Sequence, residues 1–408
     1  MKIKLHRPLA QAVAEALDAI FSQKKYADKV IERLLKSNPK WGSRDRAFIA
    51  ENVYEIVRWH RLLQALSNRQ SPITSHQSPV TNHQLLGINL ILKGFELPAW
   101  EIFARLEPTA IFERKKALEA DRKIAQSIPD WLDELGVAEL GETAWSAEIA
   151  ALNRPAEVVL RVNTLKTSKL ELKKLLSTEG WETAEPDLAP DALVLQRRGN
   201  IFQTDLFKNG FFEVQDAGSQ CIAPFLQVEP GMRVIDACAG AGGKSLHLAC
   251  LMHNRGNLIA LDTEAWKLDE LQKRARRNGA HIIQTRPIES TKTIKRLHDS
   301  ADRLLLDVPC SGLGVLRRNP DAKWKLSLEI IEKVKVLQAK ILAEYSRMLR
   351  PGGLMVYATC SILPSENERQ VAKFLAENSQ FELVEERKIS PVSDGFDGFY
   401  MARMQRSN

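Results

Sequence analysis

Two cysteines and an aspartate in the C-terminal half have the types and placement for nucleophilic chemistry on a bound substrate. Cys310 stands in Leu305-Leu306-Asp307-Val308-Pro309-Cys310-Ser311-Gly312, and Cys360 in Met355-Val356-Tyr357-Ala358-Thr359-Cys360-Ser361. Each follows an apolar run that predicts a buried strand, and each run is broken by small or turn-forming residues. A thiol at a strand's carboxyl end can add to an electron-poor carbon. Taken alone, Cys310 reads more readily as a small buried hydrophobe. Asp307 beside it, and a glycine-rich loop upstream, favour chemistry.

That loop is Asp236-Ala237-Cys238-Ala239-Gly240-Ala241-Gly242-Gly243-Lys244-Ser245. Its glycines let the backbone approach a ligand that a Cβ would exclude. A phosphate-binding Walker A loop requires glycine where Cys238 stands, so that reading fails. A dinucleotide fingerprint requires a third glycine where Ser245 stands. A nucleoside cofactor without a pyrophosphate remains, with S-adenosylmethionine the leading case. Asp262, 19 residues after Gly243, is placed at a strand end to accept hydrogen bonds from both ribose hydroxyls. The competing reading is a tight strand–helix turn and a helix-capping aspartate. Asp307-Val308-Pro309-Cys310 parallels the D/N-P-P-Y/F motif of amino-group methyltransferases but carries cysteine where that motif needs an aromatic. This points to carbon methylation. The C5 carbon of a pyrimidine attacks a methyl sulfonium only after a thiolate has added to C6.

These residues need a scaffold that gathers strand ends. From about residue 230, strands are expected at 233–237, 258–262, 281–285, 303–308 and 353–359. Helices include 264–278 and 327–349, the latter ending at Pro351-Gly352-Gly353. Repeated βα units predict a doubly wound parallel sheet, with ligands beyond the strands' carboxyl ends. Upstream, Val158 to Asn163, Ser168 to Leu176 and Ala192 to Leu195 predict a small α/β module. Residues 9–67 and 85–152 have helical periodicity. Between them, Gln70 to His76 is repeated as Gln77 to His83, read as a surface loop at 70–84. The expected domains are therefore 1–153, helical; 154–225, α/β; and 226–408, Rossmann-like α/β.

Composition narrows the function. The chain has 408 residues, 44% hydrophobic and 27% charged, as expected of a soluble globular protein of two or three domains. No stretch reaches membrane-span length, and the N-terminus lacks signal-peptide character. Five cysteines with no CxxC pair argue against a disulfide scaffold or structural zinc, and fit a reducing cytoplasm. Residues 1–69 carry 14 Lys and Arg against 7 Asp and Glu, which is the whole net charge of +7. A polyanion such as RNA, or simply a solvated basic face, accounts for this. Lys36, Lys40, Arg44 and Arg46 are the candidate phosphate contacts there.

Taken together, Asp236 to Lys244, Asp262, Asp307 to Gly312 with Arg317-Arg318-Asn319-Pro320-Asp321, and Tyr357 to Ser361 resemble the bacterial RsmB-type (Fmu) RNA cytosine-5 methyltransferases. Leu363-Pro364-Ser365-Glu366-Asn367, Asp397 to Tyr400, Leu160 to Asn163 and Gln215-Asp216 extend the likeness. The resemblance implies a class I methyltransferase domain, S-adenosylmethionine as cofactor, no metal, and a monomer acting on ribosomal RNA. Transfer RNA, or an inactive RNA-binding assembly factor, are the alternatives. It implies Cys360 as nucleophile, Cys310 in release, Asp307 on the cytosine ring, and Lys244 orienting base or thiolate. Cys238, Ala239, Gly240, Ala241, Gly242, Gly243 and Lys244 would hold the methionine end of the cofactor, with Asp307 nearby and Asp262 on its ribose. Glu289 is placed on the adenine, and Arg317 and Arg318 on RNA phosphate. The family's usual Ala-Pro in the loop is Gly240-Ala241 here, which is expected to loosen the turn.

Overall fold

The computed structural model describes residues 5–67 and 80–408. Residues 68–79, which hold most of the duplicated 70–84 segment and His76, lie outside the described residues. Two compact units form. One is the chain up to Asn153 together with Leu316–Ser327; the other is Arg154–Val315 with Leu328–Asn408.

The first unit is helical. Helices Arg7–Phe21, Ala27–Ser37, Ser43–Arg58, His60–Ser67 and Asn82–Leu92 bury Val13, Leu17, Ile49, Val53, Ile56, Leu63 and Leu86 in one core. Their apolar residues recur every three or four positions, so one stripe of each helix faces that core. Leu316–Ser327 completes the unit. Trp324 Nε1 donates to the Val57 carbonyl at 2.7 Å, and buried Lys323 donates to the Arg58 carbonyl at 2.8 Å. Asp321 accepts from the Ala27 N–H at 3.1 Å.

The second unit has two sheets. Strands β1 (Val159–Val162), β2 (Thr183–Ala184), β3 (Ala192–Leu195) and β4 (Phe212–Val214) form an antiparallel sheet in the order β2-β3-β1-β4. The larger sheet contains β5 (Arg233–Asp236), β6 (Asn257–Asp262), β7 (Ile283–Pro287), β8 (Ala301–Asp307), β9 (Leu349–Thr359), β10 (Phe381–Ile389) and β11 (Phe399–Arg406). Its order is β10-β11-β9-β8-β5-β6-β7.

Strands β5 to β9 are parallel, and the apolar runs of β5, β6, β8 and β9 are buried, as strands covered on both faces must be, whereas β7 is a largely exposed edge strand. The order reverses between β5 and β8, which opens a crevice beyond their carboxyl ends. The sheet is mixed, not wholly parallel: β11 enters between β10 and β9 and runs antiparallel to both. Sequence periodicity missed β10 and β11. β10 is an edge strand whose side chains are mostly exposed and charged, so it lacks a clear alternation. Pro351-Gly352-Gly353 lies inside β9, and the preceding helix ends at Tyr345.

Candidate active site

The carboxyl ends of β5, β6, β8 and β9 supply the site. Backbone hydrogen bonds stitch these ends together past the strands proper. Ala237 N–H donates to the Leu305 carbonyl, Ala239 N–H to the Leu261 carbonyl, and Val308 N–H to the Ala358 carbonyl, at 2.9–3.0 Å. The turn after β5 then bends through Gly240 (φ 53°) and Gly242 (φ 87°). A Cβ on Gly242 would lie 2.0 Å from Leu271 Cδ1, so only glycine fits. A Cβ on Gly240 would meet open space. The next helix, Gly243–Leu251, starts there and carries Lys244 in its first turn.

Two carboxylates flank this turn. Asp262, ending β6, accepts from the Gly240 N–H at 2.9 Å and the Glu264 N–H at 2.8 Å. Asp236, ending β5, is 0% exposed. One of its oxygens accepts from Ser245 Oγ at 2.6 Å, and the other has no hydrogen-bond partner. Burial pushes its carboxyl up to about 7. An open glycine turn, a strand-end carboxylate and an unpaired buried oxygen suit the ribose and amino-acid ends of a nucleoside cofactor.

Lys244 Nζ lies 2.5 Å from Asp307 Oδ2 and 5.9 Å from the centre of the Phe399 ring. Burial works against the ammonium, but Asp307 and, after it, charge on Cys360 hold its pKa above the usual lysine value. The thiols of Cys310 and Cys360 are 3.2 Å apart, Sγ to Sγ. Their hydrogen bond, then burial, then negative charge on Cys360 and Glu366, push the Cys310 thiol well above its ordinary value. Cys238 is raised similarly, by burial and by Asp236, Asp307 and Asp262. Its place is in the turn, without a partner thiol.

Backbone contacts keep the two cysteine loops together. Gly314 N–H donates to the Cys360 carbonyl at 2.9 Å, and Gly398 N–H to the Gly314 carbonyl at 2.8 Å. The small sheet braces the glycine turn from outside. Buried Arg161 of β1 donates to the Gly243 carbonyl at 2.5 Å and to Gln215. Arg274 donates to the Ala241 carbonyl at 2.6 Å and to Glu213 of β4 at 2.9 Å.

The structure thus brings Cys310, Cys360, Asp307 and Lys244 into one cluster, and sets the 238–243 turn and Asp262 along the same sheet edge. Glu289 lies exposed two residues past β7, after Ile288, whose N–H donates to the Asp262 carbonyl at 2.8 Å. Arg317, expected with Arg318 on RNA phosphate, is buried. Both belong to the helical unit; Arg317 is 9% exposed, and its carbonyl accepts from Arg58 Nη2 at 2.9 Å. Arg318 is half-buried. Arg46 also departs from expectation. Its guanidinium donates to the carbonyls of Leu35, Trp41 and Asn38 and closes the end of helix Ala27–Ser37. Sequence reasoning missed the bracing roles of Arg161, Arg274 and Glu213, since pairing across different elements leaves no periodic signal. Glu366 stands in the stretch Leu363 to Asn367, to which the resemblance gives no role.

Residues 223–405 match the family 16S rRNA methyltransferase RsmB/F, and residues 128–202 its RsmF/B-like ferredoxin-like domain. A protein described as probable ribosomal RNA small subunit methyltransferase B, from Synechocystis sp., is 30% identical over 94% of this chain and 96% of its own length. The chain belongs to the RsmB/F methyltransferase family. Among solved structures, PH0851 aligns over 100% of both chains with a TM-score of 0.82 at 23% identity, a likeness of fold. A methyltransferase homologue from Pyrococcus horikoshii aligns over 71% of this chain and 98% of its own, with a TM-score of 0.63 at 28% identity. The chain is accordingly an S-adenosylmethionine-dependent methyltransferase of an rRNA-modifying family. No helix among its described residues is long and apolar enough to cross a membrane.

Proposed function

We propose that this RsmB/F protein methylates C5 of a cytosine in ribosomal RNA through a covalent adduct between Cys360 and C6. The observation that carries this reading is the contact between the Cys310 and Cys360 thiols at 3.2 Å, beside the Lys244–Asp307 pair. Carbon methylation needs a thiolate, and a nearby ammonium favours one. When bound, S-adenosylmethionine supplies an electrophilic methyl group. Cys238 to Gly243 and Asp262 would hold it.

The residues of the chain then divide the work. Lys244 offers positive charge to a Cys360 thiolate, which adds to C6 and makes C5 nucleophilic. Asp307 hydrogen-bonds the pyrimidine near N3, favouring the electron-poor ring that accepts the thiol. After C5 is methylated, loss of its proton and expulsion of the Cys360 thiolate restore the aromatic ring. Cys310, against Cys360, assists that release.

With rRNA and cofactor supplied, Cys360→Ala should abolish methyl transfer. Full activity in that variant would remove its role. Cys310→Ala should accumulate a protein–RNA adduct visible as a shifted band on a denaturing gel. Normal turnover without adduct would remove the release role. Bisulfite mapping of cellular RNA with and without the protein locates the target; conversion unchanged at every rRNA cytosine would overturn rRNA as substrate.

A further inference from the structure

Leu363-Pro364-Ser365-Glu366-Asn367 has no part in the chemistry above, yet its glutamate is among the most constrained groups in the catalytic unit. Glu366 is 0% exposed. Its Oε1 accepts from the Ser311 backbone N–H at 2.8 Å and from Gln338 Nε2 at 3.1 Å. Its Oε2 accepts from Ser311 Oγ at 2.5 Å and from Ser361 Oγ. All four partners donate, so the side chain is satisfied as a carboxylate.

The two serines are the residues that directly follow the two cysteines. One carboxylate therefore ties the Cys310-Ser311 pair after β8 to the Cys360-Ser361 pair after β9. Gln338 extends the tie, since its Nε2 also donates to the Pro309 carbonyl at 3.0 Å. Asn367, next in the chain, binds the second loop again: its Nδ2 donates to the Ser361 carbonyl at 3.0 Å, and its Oδ1 accepts from Thr359 Oγ1 at 2.5 Å. Charge is unevenly placed around the pair. The negative charge of Glu366 acts on Cys310 and helps it keep its proton, whereas the Lys244 ammonium interacts with charge on Cys360.

We infer that Glu366 is a positioning residue that holds the two cysteine loops in register and keeps the shared proton on Cys310, leaving Cys360 as the nucleophile. This rests on the reading of Cys360 as the attacking thiol. A carboxylate that served only to fill and tie the interior would influence folding but not the relative reactivity of the two sulfurs.

The discriminating experiment compares the full-length parent with Glu366→Gln and Glu366→Asp. Iodoacetamide labels each cysteine across a pH series, with rates read by peptide mass spectrometry. In Glu366→Gln the ratio of Cys310 to Cys360 labelling should rise about tenfold, the effect of one pKa unit. Its kcat should fall about 10²-fold, as for an ångström-scale misplacement of reacting groups, with KM for the cofactor unchanged. Glu366→Asp should recover part of the labelling ratio. An unchanged ratio in folded Glu366→Gln would overturn the inference. If that variant does not fold, Ser361→Ala removes one tie and leaves the carboxylate; its kcat should fall about tenfold, and parental kcat would overturn the inference. A parent that labels as expected but makes no 5-methylcytosine would sink the proposed reaction while leaving the labelling result to decide the role of Glu366.

Discussion

At the scale of single residues, the site separates two chemically identical side chains by their neighbours. Cys360 shares its surroundings with an ammonium held charged by Asp307, while Cys310 meets a thiol and a buried carboxylate. A third acid, Asp236, has a consequence for stability. Its carboxyl rises from an ordinary 3.8 to about 7 on burial. The folded state therefore binds more protons than the unfolded chain between those values, and stability falls as pH rises through that window. Above about 7 the full cost remains, of order a few kcal/mol. Asp236→Asn should remove this decline. Its melting temperature relative to the parent should be higher at pH 8 than at pH 5 by differential scanning calorimetry. A difference independent of pH would show that Asp236 does not titrate there.

At the scale of elements, the site depends on loops that touch through their backbones. The loop after β8 reaches the end of β9 and the start of β11 at Gly314. A Cβ there would lie 2.2 Å from the Gly398 oxygen and 2.8 Å from the Cys360 oxygen. Backbone cannot give way as a flexible side chain can. Gly314→Ala should therefore cost about 1–3 kcal/mol and lower the melting temperature by roughly 2–10 °C. It should also depress methyl transfer, because it pushes the Cys310 and Cys360 loops apart. A variant with parental stability and activity would show that the close approach is dispensable. The antiparallel β11 matters for the same reason: it carries Phe399, with Gly398 just before it, to the cysteine loops.

At the scale of the whole molecule, the basic excess lies in the helical unit, and several of its cations are already engaged. Arg46 caps a helix, Lys36 pairs with Glu32 at 2.6 Å, and Lys323 is buried among carbonyls. Lys40 and Arg44 are exposed and remain candidates for phosphate. RNA binding by this chain should weaken with salt. Lys40→Gln and Arg44→Gln should each reduce the slope of log affinity against log salt by about 0.7 if each contacts a single-stranded phosphate. Unchanged slopes in fluorescence anisotropy titrations would place the RNA elsewhere.

Much of the site was legible in the chain because its chemistry is local in sequence. Asp236 to Lys244 is one strand–helix turn, Asp262 and Asp307 end their strands, and Cys310 and Cys360 stand just past strand ends, where the parallel sheet gathers ligands. Periodicity revealed those strands, since burial on both faces makes continuous apolar runs. Sequence alone could not separate Cys310 from Cys360, because spacing carries no information on which charges surround a thiol. Nor could it give the clamp of Glu366 on Ser311 and Ser361, the braces of Arg161 and Arg274, or the burial of Arg317. Each of these depends on contacts between residues far apart in the chain. Only the packing of strands, loops and helices against one another brings such groups within hydrogen-bonding distance, and so only the tertiary structure decided them.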